Sequence, residues 1–107
     1  MTPPAFFNLL EFLETEVDSG LQMNTLRVFL FIASRGSCTQ NEAELSLGMS
    51  GAACSRNIAY WTDRRFDKGV GMNYVSKTMD DTDRRHRNLE LTVTGKQFYV
   101  KLLEKMA

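Results

Sequence analysis

Apolar residues recur along this chain first with the period of a helix and later with the period of a strand. Between Ala5 and Val17, the residues Phe6, Leu9, Leu10, Leu13 and Val17 fall on one helical stripe, while Phe7 and Phe12 lie off it. Pro3 and Pro4 suit the first turn of such a helix, where a backbone N–H has no partner to lose, and Ser19 and Gly20 end it. A helix apolar over so much of its circumference is expected to be covered on two sides. Asn24 is the expected cap of a second helix running to about Arg35. Its Leu26, Val28, Phe29, Leu30, Phe31, Ile32 and Ala33 make it the central core helix, and Gly36 stops it. Ser37 and Cys38 read as a very short strand.

From Thr39 onward the start and stop signals crowd together. Thr39 and Glu42 have capping-box spacing, in which the hydroxyl accepts from the N–H three residues on and the carboxylate reaches back. Gly48 supplies a left-handed stop, and Ser50 is the next N-cap. Two short helices thus meet across a tight turn at Gly48 and Met49. On the second, Cys54, Ile58 and Trp61 share a buried stripe, whereas Ala52, Ser55, Arg56 and Ala59 form a small or polar face able to approach a groove closely. Mixed charge and two glycines mark Thr62 to Met72 as a loop. Alternation then takes over in Asn73–Met79 and Asn88–Val93, flanking a charged tip from Asp80 to Arg87. A last helix begins near Thr92 or Thr94, carries Phe98, Leu102 and Met106 on a stripe with Val100 and Leu103 beside it, and contains a weak point at Gly95. The expected fold class is mainly α with a small β-hairpin. A hairpin directly after a helix-turn-helix is the wing of a winged helix-turn-helix.

Composition narrows the picture. At 107 residues and 43% hydrophobic content the chain fits a single domain, residues 1–107, with one core. No apolar run is long enough to span a bilayer, and the N-terminus lacks the basic region and cleavage site of a signal peptide. With Cys38 and Cys54 as the only cysteines, a disulfide framework is excluded and a cytoplasmic compartment is expected. One histidine and two cysteines argue against a metal site, and no glycine-rich phosphate loop is present, so no cofactor is expected. The carboxylates Asp80, Asp81 and Asp83 near His86 belong to a solvated tip rather than to an acid–base site, and no enzyme activity is expected. Cys54 lies on the stripe with Ile58 and Trp61, which favours a buried, inert thiol over a redox switch.

Net charge is zero, with 13 basic and 13 acidic residues, but the charges are segregated. Glu11, Glu14, Glu16 and Asp18 lie in the first helix region, whereas Arg84, Arg85 and Arg87 cluster at the hairpin tip. Local patches, not the total, set the field at a binding surface.

Residues 24–95 resemble the DNA-binding lobe of the multiple-antibiotic-resistance-regulator (MarR) type. The similarity rests on Ile32-Ala33-Ser34-Arg35-Gly36-Ser37-Cys38-Thr39-Gln40-Asn41-Glu42, on Leu47-Gly48-Met49-Ser50 followed by Ser55-Arg56, and most specifically on Asp83 through Gly95. The resemblance implies a homodimeric, sequence-specific regulator of transcription that binds double-stranded DNA. Its recognition helix would enter the major groove through Ala52, Ser55, Arg56 and Asn57. Its wing, residues 73–93, would place Arg84, Arg85 or Arg87 in the minor groove, with Asp83 orienting one arginine. Residues 1–20 and the C-terminal helix, 96–107, would dimerise through Phe6, Phe7, Leu10, Phe12 and Leu13 with Phe98, Leu102 and Met106. The family has longer helices at both ends framing a ligand cleft, so a small-molecule effector is not supported here. The alternative is a winged-helix module that binds protein. Neutral charge and the alanine-rich recognition helix favour that alternative, and the wing arginines favour DNA.

Overall fold

The computed structural model describes residues 1–63, 69–79 and 87–106, with only the backbone described at Met79 and Arg87. The elements are α1 (Pro3–Glu16), α2 (Met23–Arg35), β1 (Ser37–Thr39), α3 (Gln40–Leu47), α4 (Gly51–Trp61), β2 (Val75–Met79), β3 (Arg87–Leu91) and α5 (Val93–Met106). The three strands form one antiparallel sheet in the order β1-β3-β2. Val75 faces Leu91, and Cys38 faces Leu89, so the buried side of the sheet is a continuous apolar surface.

Most of the start and stop signals operate as the sequence predicts. Thr39 and Glu42 form the complete capping box, with 3.2 Å from the Glu42 N–H to Thr39 Oγ1 and 3.1 Å from the Thr39 N–H to Glu42 Oε1. Gly48 ends α3 in the left-handed conformation at φ 66°, and the Ser50 hydroxyl accepts from the Ala53 N–H at 3.2 Å to start α4. Asn24 differs: Gln22 occupies the cap position of α2, and Asn24 Oδ1 instead accepts from Arg27 Nη1 at 2.9 Å. Helix α2 starts two residues earlier than Asn24 capping would require, so Asn24 falls inside the helix.

Phe29 on α2 is the hub of the core. Its ring meets Trp61 at 4.9 Å, Phe98 at 5.4 Å, and Tyr74 and Tyr99 at 6.3 Å each, tying α2 to α4, to the root of the hairpin and to α5. Phe12, expected off the stripe of α1, stacks on Phe98 at 5.8 Å. Leu13, Phe98 and Leu102 are likewise buried within this single chain, so they are core residues and not free dimerisation surface. The α1 and α5 helices pack directly on one another, and that contact consumes the inner sides of both stripes. What stays exposed is the outer set: Phe6, Phe7 and Leu10 on α1, with Val100, Leu103 and Met106 on α5. Val93, expected on the strand face with Leu89 and Leu91, is exposed as the first residue of α5.

Candidate nucleic-acid interface

Helix α4 is held rigidly from behind. Cys54, Ile58 and Trp61 have no exposed surface, and Trp61 Nε1 donates to the Thr25 carbonyl at 2.7 Å. Arg27 reaches from α2 to the end of α3, its Nη2 donating to the Leu47 carbonyl at 3.3 Å just before the turn. Thr25 Oγ1 donates to Asn57 Oδ1 at 2.7 Å, and Asn57 Nδ2 donates to the Ala53 carbonyl at 3.0 Å. Asn57 therefore spends its hydrogen-bonding capacity inside the protein, bridging α2 and α4. Ala59, expected on the outward face, is buried.

The hairpin root is attached to the end of α4 by backbone hydrogen bonds. The N–H groups of Met72, Asn73 and Tyr74 donate to the carbonyls of Tyr60, Thr62 and Trp61 at 3.1, 3.0 and 2.7 Å. These bonds satisfy carbonyls that a helix end leaves without partners. Asn73 takes φ 58°, a conformation asparagine tolerates better than most residues. Thr92 closes the other side, its Oγ1 donating to the Asn73 carbonyl at 2.8 Å and its N–H to the Tyr74 carbonyl at 2.9 Å. The same hydroxyl accepts from the Gly95 N–H at 2.9 Å and so starts α5. Helix α4 and the base of the wing are one rigid unit.

The outward side of α4 is sparse. Gly51 and Ala52 are exposed at its first turn, where the nearest side chain is Glu44, whose Oε1 lies 3.4 Å from where a Gly51 Cβ would be. Arg56 is exposed and has no ion-pair or hydrogen-bond partner among the described residues. Ser55 is half-buried, and its Oγ accepts from Gln40 Nε2 at 2.8 Å. Gln40 itself is only 7% exposed, and its Oε1 is buried without a hydrogen-bond partner among the described residues. An orphaned buried oxygen costs about 1–3 kcal/mol. Sequence reasoning missed Gln40, although the signal was present: it sits at the apolar spacing of Ala43 and Leu47 on α3, where a polar residue calls for an explanation.

Of the expected wing residues, Arg84 and Arg85 lie outside the described residues, as do Asp80, Asp81, Asp83 and His86. Arg87 is described as backbone only, paired with Met79 at the distal end of β2 and β3. Both thiols are buried and free. Burial pushes Cys54 up from 9.0 to about 11, with Glu44 and Cys38 adding to the shift and Lys77 opposing it. Cys38 is likewise raised to about 11 by burial and by Glu42, with Arg35 opposing. Among the described residues, no cluster of three or more His, Cys, Asp or Glu side chains is placed to hold a metal ion, and no helix is long and apolar enough to cross a membrane.

An apolar groove of about 610 Å³ runs between α1, α2 and α5, lined by Leu9, Leu10, Leu13, Leu26, Leu30 and Leu102 among others. It is continuous with the exposed residues of α1.

The sequence matches no protein-family model and no curated protein. Solved structures do match. YusO from Bacillus subtilis superposes with a TM-score of 0.66 at 20% identity, over 95% of this chain and 68% of that one. A mutant MarR from E. coli complexed with operator DNA gives 0.64 at 15% identity, over 97% and 69%. The fold is a MarR-type winged helix. BpsR of Bordetella bronchiseptica, whose DNA binding is regulated by 6-hydroxynicotinic acid, gives 0.66 at 17% identity over 96% and 73%. Against MarR-type structures this chain is short, spanning 65% of one MarR repressor and 70% of another.

Proposed function

We propose that the protein is a transcriptional regulator that binds double-stranded DNA as a homodimer, with α4 in the major groove and the wing arginines in the adjoining minor groove. The observation that carries this reading is the outward side of α4. It is narrow enough for close approach at Gly51 and Ala52, and it offers a hydroxyl at Ser55 and an unpartnered cation at Arg56. Its opposite side is locked to α2 and to the wing base, so the surface is presented without reorganisation. Asn57 contributes by fixing that geometry, which leaves Ala52, Ser55 and Arg56 as the groove-facing set. Arg84, Arg85 and Arg87 supply phosphate and minor-groove contacts, with Asp83 pairing one of them. That a MarR bound to operator DNA shares the fold supports the reading.

Dimerisation uses the exposed residues of α1 and α5, Phe6, Phe7, Leu10, Val100, Leu103 and Met106. Contiguous apolar surface of this kind is costly to leave in water. A symmetric pair would set two α4 helices roughly 34 Å apart, one turn of duplex. Selection of bound sequences from a random duplex pool tests the proposal: recovery of an inverted repeat with that spacing supports it, and recovery of no motif opposes it.

A second reading keeps the fold as a protein-binding module. The net charge of zero favours it, because a chain with no excess of basic residues gains little from bulk attraction to phosphate.

A further inference from the structure

We infer that Gln40 is a positioning residue that fixes the Ser55 hydroxyl as a hydrogen-bond donor toward the groove, so that α4 reads purine N7 at one base pair. The inference rests on the DNA-binding reading above and deepens it.

The starting point is the direction of one hydrogen bond. Gln40 Nε2 donates to Ser55 Oγ at 2.8 Å across the interface of α3 and α4. A hydroxyl that accepts from an amide keeps its own hydrogen for another partner. Ser55 makes no further hydrogen bond among the described residues, so that hydrogen is unspent. Ser55 is half-buried, one helical turn from the exposed Ala52 and next to the exposed Arg56, and its remaining open side is the outward side of α4.

Rotating the Gln40 amide by half a turn would reverse the roles. Ser55 would then donate inward, and both Nε2 hydrogens would lack partners, where the oxygen and one of those hydrogens lack them now. Unsatisfied buried oxygens are better tolerated than unsatisfied buried N–H groups. The cap on Thr39 fixes the first turn of α3, and Gln40 is 7% exposed, so the amide has little freedom to swing out. A buried amide with an orphaned oxygen is a poor way to stabilise a core, but it does set the direction of a surface hydroxyl.

A fixed donor selects acceptors. In the major groove both purines present N7 at the same place, guanine O6 and thymine O4 also accept, and cytosine alone offers no acceptor on its edge. The resulting preference is for a purine through N7 and against cytosine on one strand, at one base pair of each half-site.

The test uses a duplex selected with the wild-type chain. Replacing single purines by their 7-deaza analogues removes N7 without disturbing pairing. At one position the substitution should weaken wild-type binding about fivefold, the worth of one hydrogen bond, and should leave Ser55→Ala binding unchanged. Gln40→Met, which keeps the volume and removes the amide, should relax preference at that same base pair, and adding it to Ser55→Ala should change the preference no further. If Gln40→Met fails to fold, Gln40→Leu takes its place with the same expected loss of preference, beside the 7-deaza comparison of wild type with Ser55→Ala. Equal sensitivity of the two proteins at every position overturns the inference. So does a Gln40→Met variant that folds and loses affinity uniformly across sequences. A wild-type chain with no salt-dependent duplex binding removes the DNA reading itself, and this inference with it.

Discussion

The backbone carbonyl of Tyr74 sits so close to Gly95 that a Cβ on the glycine would stand 2.0 Å from the oxygen. The same carbonyl accepts from the Thr92 N–H, so the base of the wing and the first turn of α5 meet backbone to backbone. Helix propensity alone marks Gly95 as a weak point, because glycine gives up the most backbone freedom in a helix. The contact with Tyr74 reverses that sign: no other residue fits. Gly95→Ala should lower stability by about 3 kcal/mol, at the upper end of what overpacking costs, despite alanine's better helix propensity. Chemical denaturation measures it. A stabilised variant would mean that α5 does not approach Tyr74 this closely.

Asn57 divides fold from recognition. Its carboxamide bridges the Thr25 hydroxyl and the Ala53 carbonyl. Asn57→Ala should cost about 1–2 kcal/mol of stability, because the buried Thr25 hydroxyl loses its acceptor. The bases selected by the folded variant should match those of the wild type. A changed motif with unchanged stability would place Asn57 in the groove.

Both cysteines are held as thiols. With Cys54 raised to about 11, thiolate at neutral pH amounts to on the order of one part in ten thousand. Cys54→Val should leave duplex binding intact and insensitive to mild oxidants, as valine fills a similar apolar site. The linkage has a definite direction. The folded pKa lies above the unfolded value of 9.0, so the contribution to stability is complete below pH 9 and is lost as pH rises from about 9 to about 11. The unfolding midpoint should fall across that window, less steeply in Cys54→Val than in the wild type. Identical slopes in the two proteins would oppose this account of Cys54.

The proposed dimer depends on side chains that the single chain leaves exposed, with Phe7 at 59% and Leu103 at 46%. The double change Phe7→Glu and Leu103→Glu should yield monomers by sedimentation and weaken binding to a two-half-site duplex by about a hundredfold or more, since the second half-site is no longer engaged intramolecularly. A wild-type chain that sediments only as a monomer at micromolar concentration would contradict the dimer.

Much of this architecture was legible because its signals are local. The Thr39–Glu42 box, Gly48 and Ser50 act within four residues of themselves, and the Cys54–Ile58–Trp61 stripe needs only helical spacing. What the sequence concealed depends on contacts between distant segments. Phe12 reaches the core through Phe98, Asn57 turns inward to meet Thr25, and Gln40 meets Ser55 across two helices. Periodicity reports which face of a helix is apolar, but not which neighbour arrives to cover a polar one.

The salt dependence of duplex affinity, compared between the wild type and a variant with Arg84, Arg85 and Arg87 all changed to alanine, tests DNA binding most directly. Counterion release predicts that the logarithm of the wild-type association constant falls linearly with the logarithm of salt concentration. The triple variant should bind more weakly, with a slope smaller by about one for each phosphate-contacting arginine removed. Unchanged affinity and slope in the triple variant would take the wing off the DNA and favour the protein-binding module.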